Sequence, residues 1–194
     1  MMKTIHLLIA FATLFISYQA SAATAIFAGG CFWCVESDFE KVKGVSEAIS
    51  GFTGGTLKNP TYNGDHTGHL EAVEVHYDPK VVSYQDLLHY YWRHIDPFDD
   101  RGQFCDKGST YRSAIFVAND EERKLAEASK HEVEKQFPGQ TVATSILDAS
   151  TFYPIKGDES YHQDFYKTHS IKYKFYRWNC GRDQRVEAIW GESH

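Results

Sequence analysis

Between residues 25 and 168 the hydrophobic period of the chain switches repeatedly between two and about 3.6, and no single-class fold accommodates that. Residues 25–28 form a short apolar strand that runs into Gly29-Gly30. Residues 31–41 turn helical, with Val35, Phe39 and Val42 spaced for one buried face. Residues 45–53 are a strand ending in Gly54-Gly55, and residues 71–77 alternate as a strand that stops at Asp78-Pro79. Ser83 opens a helix, with Asp86 three residues on and Leu87, Leu88 and Tyr91 on one side. Strand 113–118, a charged helix from the Asn119 cap to Phe137, strand 141–147 and a helical segment 157–168 complete the alternation. Two long polar stretches, 56–68 and 96–110, remain as loops. The pattern predicts an α+β domain, a two-layer sandwich of a mixed β-sheet with helices, in which two long loops serve the active site.

The first 22 residues stand apart from that pattern. Lys3 is followed by an apolar run from Ile5 to Tyr18, and Ala20-Ser21-Ala22 offers the small-x-small pattern of a signal peptidase site. The run is 14 residues long, short of the roughly 20 that span a bilayer. The sequence is therefore expected to divide into a cleaved signal peptide, 1–22, and a single catalytic domain, 23–194. The 172 residues that follow are enough for one core. Losing Lys3 moves the formal net charge from −6 to −7, and no basic stripe appears. Nucleic acid and stable membrane association are poor expectations, and a periplasmic or secreted monomer is the expected state.

Cys31, Cys34, Cys105 and Cys180 are the cysteines. Too few to staple a scaffold, they are left with bracing or redox chemistry. Cys31 sits where a strand becomes a helix. Unpaired first-turn N–H groups and the helix dipole favour the reactive thiolate there. Gly30 lets backbone or ligand approach closely, and Phe32 and Trp33 offer an apolar wall. Buried free cysteines or a bracing Cys31–Cys34 bond are the plain structural alternatives.

The run Gly29-Gly30-Cys31-Phe32-Trp33-Cys34 resembles the active-site motif of the A-class methionine sulfoxide reductases. So do, in order, Gly51-Phe-Thr-Gly-Gly55, Asn59-Pro-Thr-Tyr62, Thr67-Gly-His-Leu-Glu71, Gly102-Gln-Phe-Cys-Asp106, Ser109-Thr-Tyr111, Tyr161-His-Gln-Asp164 and Cys180-Gly-Arg-Asp183. The resemblance implies reduction of methionine sulfoxide, free or in proteins, with no cofactor and no metal. It makes Cys31 the nucleophile, and Glu71 the acid that protonates the leaving oxygen from a desolvated setting. Tyr62 and Tyr111 would bind that oxygen, Phe32 and Trp33 the methyl group, and Asp106 would orient the site. The product on Cys31 is a sulfenic acid, to be captured by a second thiol and then reduced by an exported thioredoxin-like protein. Cys180 in the tail, Cys34 one turn along the helix, and Cys105 are the candidates for that thiol, with Cys180 slightly preferred.

Two other readings compete. Cys31-x-x-Cys34 after a strand could belong to a thioredoxin-like disulfide oxidoreductase, which needs a βαβ unit around it. His69-x-Glu71 with a Cys pair is similar to zinc deaminase motifs, but the order is reversed and the proline is missing.

Overall fold

A computed structural model describes residues 22–191. The leader read at 1–22 lies outside them except for its last residue. In chain order the elements begin with β1 (Ala23–Gly29), α1 (Phe32–Phe39), β2 (Val45–Thr53), β3 (Leu70–Tyr77) and α2 (Tyr84–Trp92). The short strands β4 (Gly102–Gln103) and β5 (Asp106–Lys107) follow, then β6 (Ser113–Val117), α3 (Asp120–Gln136), β7 (Ser145–Asp148) and β8 (Tyr153–Pro154). The tail carries α4 (Phe165–Thr168), α5 (Ser170–Asn179) and α6 (Arg182–Trp190).

Six strands form one sheet in the order β7-β6-β1-β3-β2-β8. The β6–β7 pair is parallel and the others are antiparallel, so the sheet is mixed. Phe27 lies opposite Val73 on one side and Ile115 on the other, which gathers a row of large apolar side chains on one face. Phe39 of α1, Leu87, Leu88 and Tyr91 of α2, and Ala126 and Val133 of α3 join them in the main core. Ala28, Ala72, Ala114 and Phe116 make a smaller cluster of mostly small residues. The result is the expected two-layer α+β arrangement.

Local signals explain the elements. Ser83 and Asp86 exchange the two hydrogen bonds of a capping box at the start of α2. The Asn119 side chain accepts the Glu122 N–H at the start of α3, where Asp120, Glu121 and Glu122 complement the helix dipole. The strand expected at 141–147 starts only at Ser145, because Ala143 donates its N–H to the Pro97 carbonyl and is tied to the loop instead. The helix expected over 157–168 breaks at Asp164, whose φ is +52° and whose N–H donates to buried Glu36.

Gly30 marks the junction between β1 and α1. Its φ is +85°, and a Cβ there would meet Gln103 Cβ at 2.6 Å. Gln103 is fully buried, and its amide donates to the Asp96 carbonyl and accepts the Asp96 N–H, closing the 96–110 loop on itself. Gly30→Ala is therefore expected to cost at least about 1–3 kcal/mol. The check is urea denaturation, with a lower midpoint at unchanged slope.

Candidate active site

The β1–α1 junction places Cys31 at the N-cap of α1, where its carbonyl accepts the N–H groups of Cys34 and Val35 at 3.1 and 3.4 Å. Strand parity on β3 puts Glu71 on the same face as Val73 and Val75, which is the face covered by helices. The Phe32 N–H, one of the open donors of the first helical turn, donates to Glu71 Oε2 at 2.9 Å. Burial outweighs that bond and pushes the Glu71 carboxyl up to about 8, so it holds its proton at neutral pH.

The helix start does not make Cys31 a resting thiolate, contrary to the sequence expectation. The Phe32 donor is committed to Glu71, and Cys31 is only 7 % exposed. Burial first, then its hydrogen bond with Cys34, drives the Cys31 thiol well above the usual range. Cys34 is pulled the other way, chiefly by that hydrogen bond from Cys31, with Arg182 and Arg177 adding positive charge.

Around Cys31 lies a pocket of about 70 Å³. Phe32 and Trp33 form its apolar wall, Tyr62 and Tyr111 supply hydroxyls, and Glu71 and Asp106 supply carboxyls. Each is anchored from outside. Trp33 donates from Nε1 to His162 Nδ1 at 3.0 Å and stacks on Phe165 with ring centroids 3.8 Å apart. Tyr62 donates its N–H to Glu159 at 2.8 Å and rests its ring on His162. Tyr111 ends a 3₁₀ turn at Ser109–Tyr111 and enters the pocket from the opposite loop. Burial first, then the charge of Glu71, keeps both phenols protonated, Tyr62 being pushed up to about 12.

Residues 23–194 match the family model of the peptide methionine sulfoxide reductases. The chain belongs to this family. It is accordingly an oxidoreductase of that kind. Peptide methionine sulfoxide reductase MsrA 2 of Caulobacter vibrioides is 50 % identical over 171 residues, which is 87 % of this chain and 85 % of that protein. Reduced Mxr1 from Saccharomyces cerevisiae superposes with a TM-score of 0.70 at 26 % identity, over 83 % of this chain and 93 % of that one. Mxr1 in complex with Trx2 shares the fold with a TM-score of 0.54 at 22 % identity, covering 76 % of this chain and 91 % of that one.

Of the family-motif residues, Gly30 stays off the pocket wall, pressed against Gln103. Cys34 is a free thiol beside Cys31. Cys180 is bonded to Cys105, with the two Cα atoms 4.9 Å apart. His69 is not on the wall: its Nδ1 accepts the Gly55 N–H and its Nε2 bonds the Leu57 carbonyl, bracing the loop. Both neighbours of β1 are antiparallel, so the Cys31–Cys34 pair is not held in a parallel βαβ unit. Among the described residues the carboxylates of Glu36, Glu40 and Asp164 also cluster, but Ser50, the Asp164 N–H and Lys167 already engage them.

Two further residues complete the site. His162 accepts from Trp33 through Nδ1, so its proton sits on Nε2, and burial keeps the ring neutral. Tyr176 of α5 lines the pocket and donates to Asp106 Oδ2 at 2.5 Å. The sequence signal for Tyr176 was its place one helical turn before Cys180.

Proposed function

We propose that this chain reduces methionine-(S)-sulfoxide, free or within proteins, as a monomeric periplasmic or secreted repair enzyme re-reduced by an exported thioredoxin-like protein. The observation that carries the chemistry is the pairing of Cys31 with a protonated Glu71 carboxyl in one small pocket walled by aromatic rings. The Cys31 thiolate attacks the sulfoxide sulfur while Glu71 gives its proton to the oxygen. Transfer of that oxygen leaves methionine and a Cys31 sulfenic acid, two electrons having passed from the cysteine sulfur to the substrate. Tyr62 and Tyr111 hold the oxygen with neutral hydroxyls, and Phe32 and Trp33 shelter the methyl group.

Cys34 then resolves the sulfenic acid, in preference to Cys180. Cys34 is free and in hydrogen-bond contact with Cys31, whereas Cys180 is bound to Cys105. The Cys34 thiol displaces the hydroxyl, the S–O bond breaks, a disulfide forms, and its proton leaves with the oxygen as water. The apolar leader at 1–22 motivates the exported setting. Among the described residues no helix is long and apolar enough to cross a membrane. Yeast Mxr1, which shares the fold and is solved in complex with Trx2, motivates a thioredoxin-type partner.

One experiment addresses epimer and route together. The protein is given one equivalent of each sulfoxide epimer without external reductant, and its peptides are mapped by mass spectrometry. Methionine from the S epimer alone, with a new Cys31–Cys34 link and Cys105–Cys180 intact, is the expected result. Equal reduction of both epimers would sink the one-sided pocket. A Cys31–Cys180 link would restore the tail cysteine as resolver.

A further inference from the structure

The tail helix α5 delivers a third hydroxyl to the reacting sulfur. Tyr176 Oη donates to Asp106 Oδ2 at 2.5 Å, and both side chains line the pocket beside the Cys31 thiol. The Tyr176 ring packs edge-on against Trp33, with centroids 5.7 Å apart. One turn later Cys180 is bonded to Cys105, the residue next to Asp106, and its sulfur lies 3.8 Å from Asp106 Oδ2. The phenol–carboxylate bond and the disulfide thus join the same two segments, so Tyr176 is held against Asp106 from both ends.

This arrangement answers a need that burial creates. A buried Cys31 thiol must lose its proton before it can attack. Facing it are Cys34 from α1, Glu71 from β3, Tyr62 and Tyr111 from the loops, and Tyr176 from α5, with Asp106 behind Tyr176 and Arg177 and Arg182 behind Cys34. Glu71 has to keep its own proton for the sulfoxide oxygen. Cys34 has to end with a proton that can leave in water. Asp106 remains, reached through the phenol.

We propose that Tyr176 is a catalytic residue that relays the Cys31 proton to Asp106, a step that rests on Cys31 being the nucleophile. The Cys31 S–H bond breaks and its proton passes to Tyr176 Oη, while the phenol's own proton moves to Asp106 Oδ2. No electrons change hands, and the products are a thiolate and a neutral Asp106. Tyr176 keeps one proton throughout, since burial and the neighbouring thiols push its own ionisation far above neutrality. Burial also raises the Asp106 carboxyl, which suits an acceptor. When the Asp106 proton passes to Glu71 after turnover, the pocket regains its starting charge.

The test uses the Cys34→Ser protein with Cys105–Cys180 left oxidised, so that Cys31 is the reactive thiol. Single-turnover methionine formation and the pH dependence of Cys31 alkylation by iodoacetamide are measured with and without Tyr176→Phe and Asp106→Asn. Phe keeps the ring packed on Trp33, and thermal melts accompany each variant. The relay requires each substitution to slow methionine formation on the order of 100-fold, and Tyr176→Phe, which takes away a hydroxyl that favours the thiolate, to move the alkylation midpoint upward as well. Because the two residues act as one unit, the double variant is no slower than the slower single. An unchanged midpoint and rate in Tyr176→Phe, or losses that multiply in the double, overturns the relay. If the parent Cys34→Ser protein forms no methionine, the assignment of Cys31 itself fails, and the relay with it.

Discussion

Cys31→Ser is expected to abolish reduction outright, with no methionine formed even stoichiometrically over long incubation. The site concentrates its chemistry on this sulfur. Glu71, Tyr62, Tyr111, Phe32 and Trp33 line one pocket with Cys31, and in the proposed reaction these walls set the substrate sulfur against it. A serine hydroxyl keeps the shape but ionises far above any thiol, and burial makes its ionisation harder still. It also cannot carry the oxygen as a sulfenic acid. No step of the cycle survives the change. The check is quantitation of methionine from the S epimer with enzyme in excess. One equivalent formed by Cys31→Ser would mean that another group attacks, with Cys34 the first suspect because it is the more easily ionised sulfur. Cys34→Ser separates the two readings, since it should still form one equivalent and stop there.

How far the sequence foretold this site depends on which residues obey simple periodicity. β2, β3, α2 and α3 follow from alternation and capping, since their buried faces are mainly apolar and the two helices start on Ser83 and Asn119. Glu71 was legible only through the family resemblance, and strand parity on β3 supplies the physical reason for its burial. A carboxyl in phase with Val73 and Val75 has to be buried, and a buried carboxyl holds its proton.

The tail resisted because its polarity is inverted. On α5 the large apolar residues Ile171, Phe175 and Trp178 face outward, at 85, 64 and 65 % exposure. Arg177 turns inward instead, to Asp38 at 2.8 Å, and Arg182 of α6 is buried with its guanidinium on the Gly29 and His94 carbonyls. A reader looking for an apolar stripe finds it on the wrong face. Tyr176 was missed for that reason. The pairing of Cys105 with Cys180 joins residues 75 apart in sequence, a contact that spacing alone does not reveal. The direction of the Cys31 shift was misjudged because the helix-start effect was weighed without knowing that Glu71 takes the Phe32 N–H.

Glu71→Gln should lower single-turnover reduction at pH 7 by about 100- to 10,000-fold, the usual worth of a positioned general acid. Gln keeps the shape and still offers an oxygen to the Phe32 N–H, so the loss isolates the proton. The pH dependence identifies that proton more sharply. The productive form pairs a Cys31 thiolate with a protonated Glu71, and Cys31 titrates above Glu71. With the Cys31 proton relayed to Asp106 the pocket's proton count is unchanged, so in the parent that form is level through neutral pH and falls above about 8, where Glu71 itself ionises. The Gln variant has no carboxyl to lose and does not fall there, so its deficit shrinks as pH rises. A stability measurement gives a second handle. Folding raises the Glu71 carboxyl from 4.5 to about 8, so over that range the native state binds more protons than the unfolded chain. Parental stability must then fall as pH rises from about 4.5 to 8. Glu71→Gln removes Glu71's part of that slope, leaving the part from buried Glu36, whose carboxyl is raised to about 7, and should be the more stable protein at pH 8 and above, by several kcal/mol at most. Denaturant midpoints for both proteins across this range check it. A variant with a deficit of only a few-fold, or with the parental stability slope intact, would place the proton for the leaving oxygen on another group.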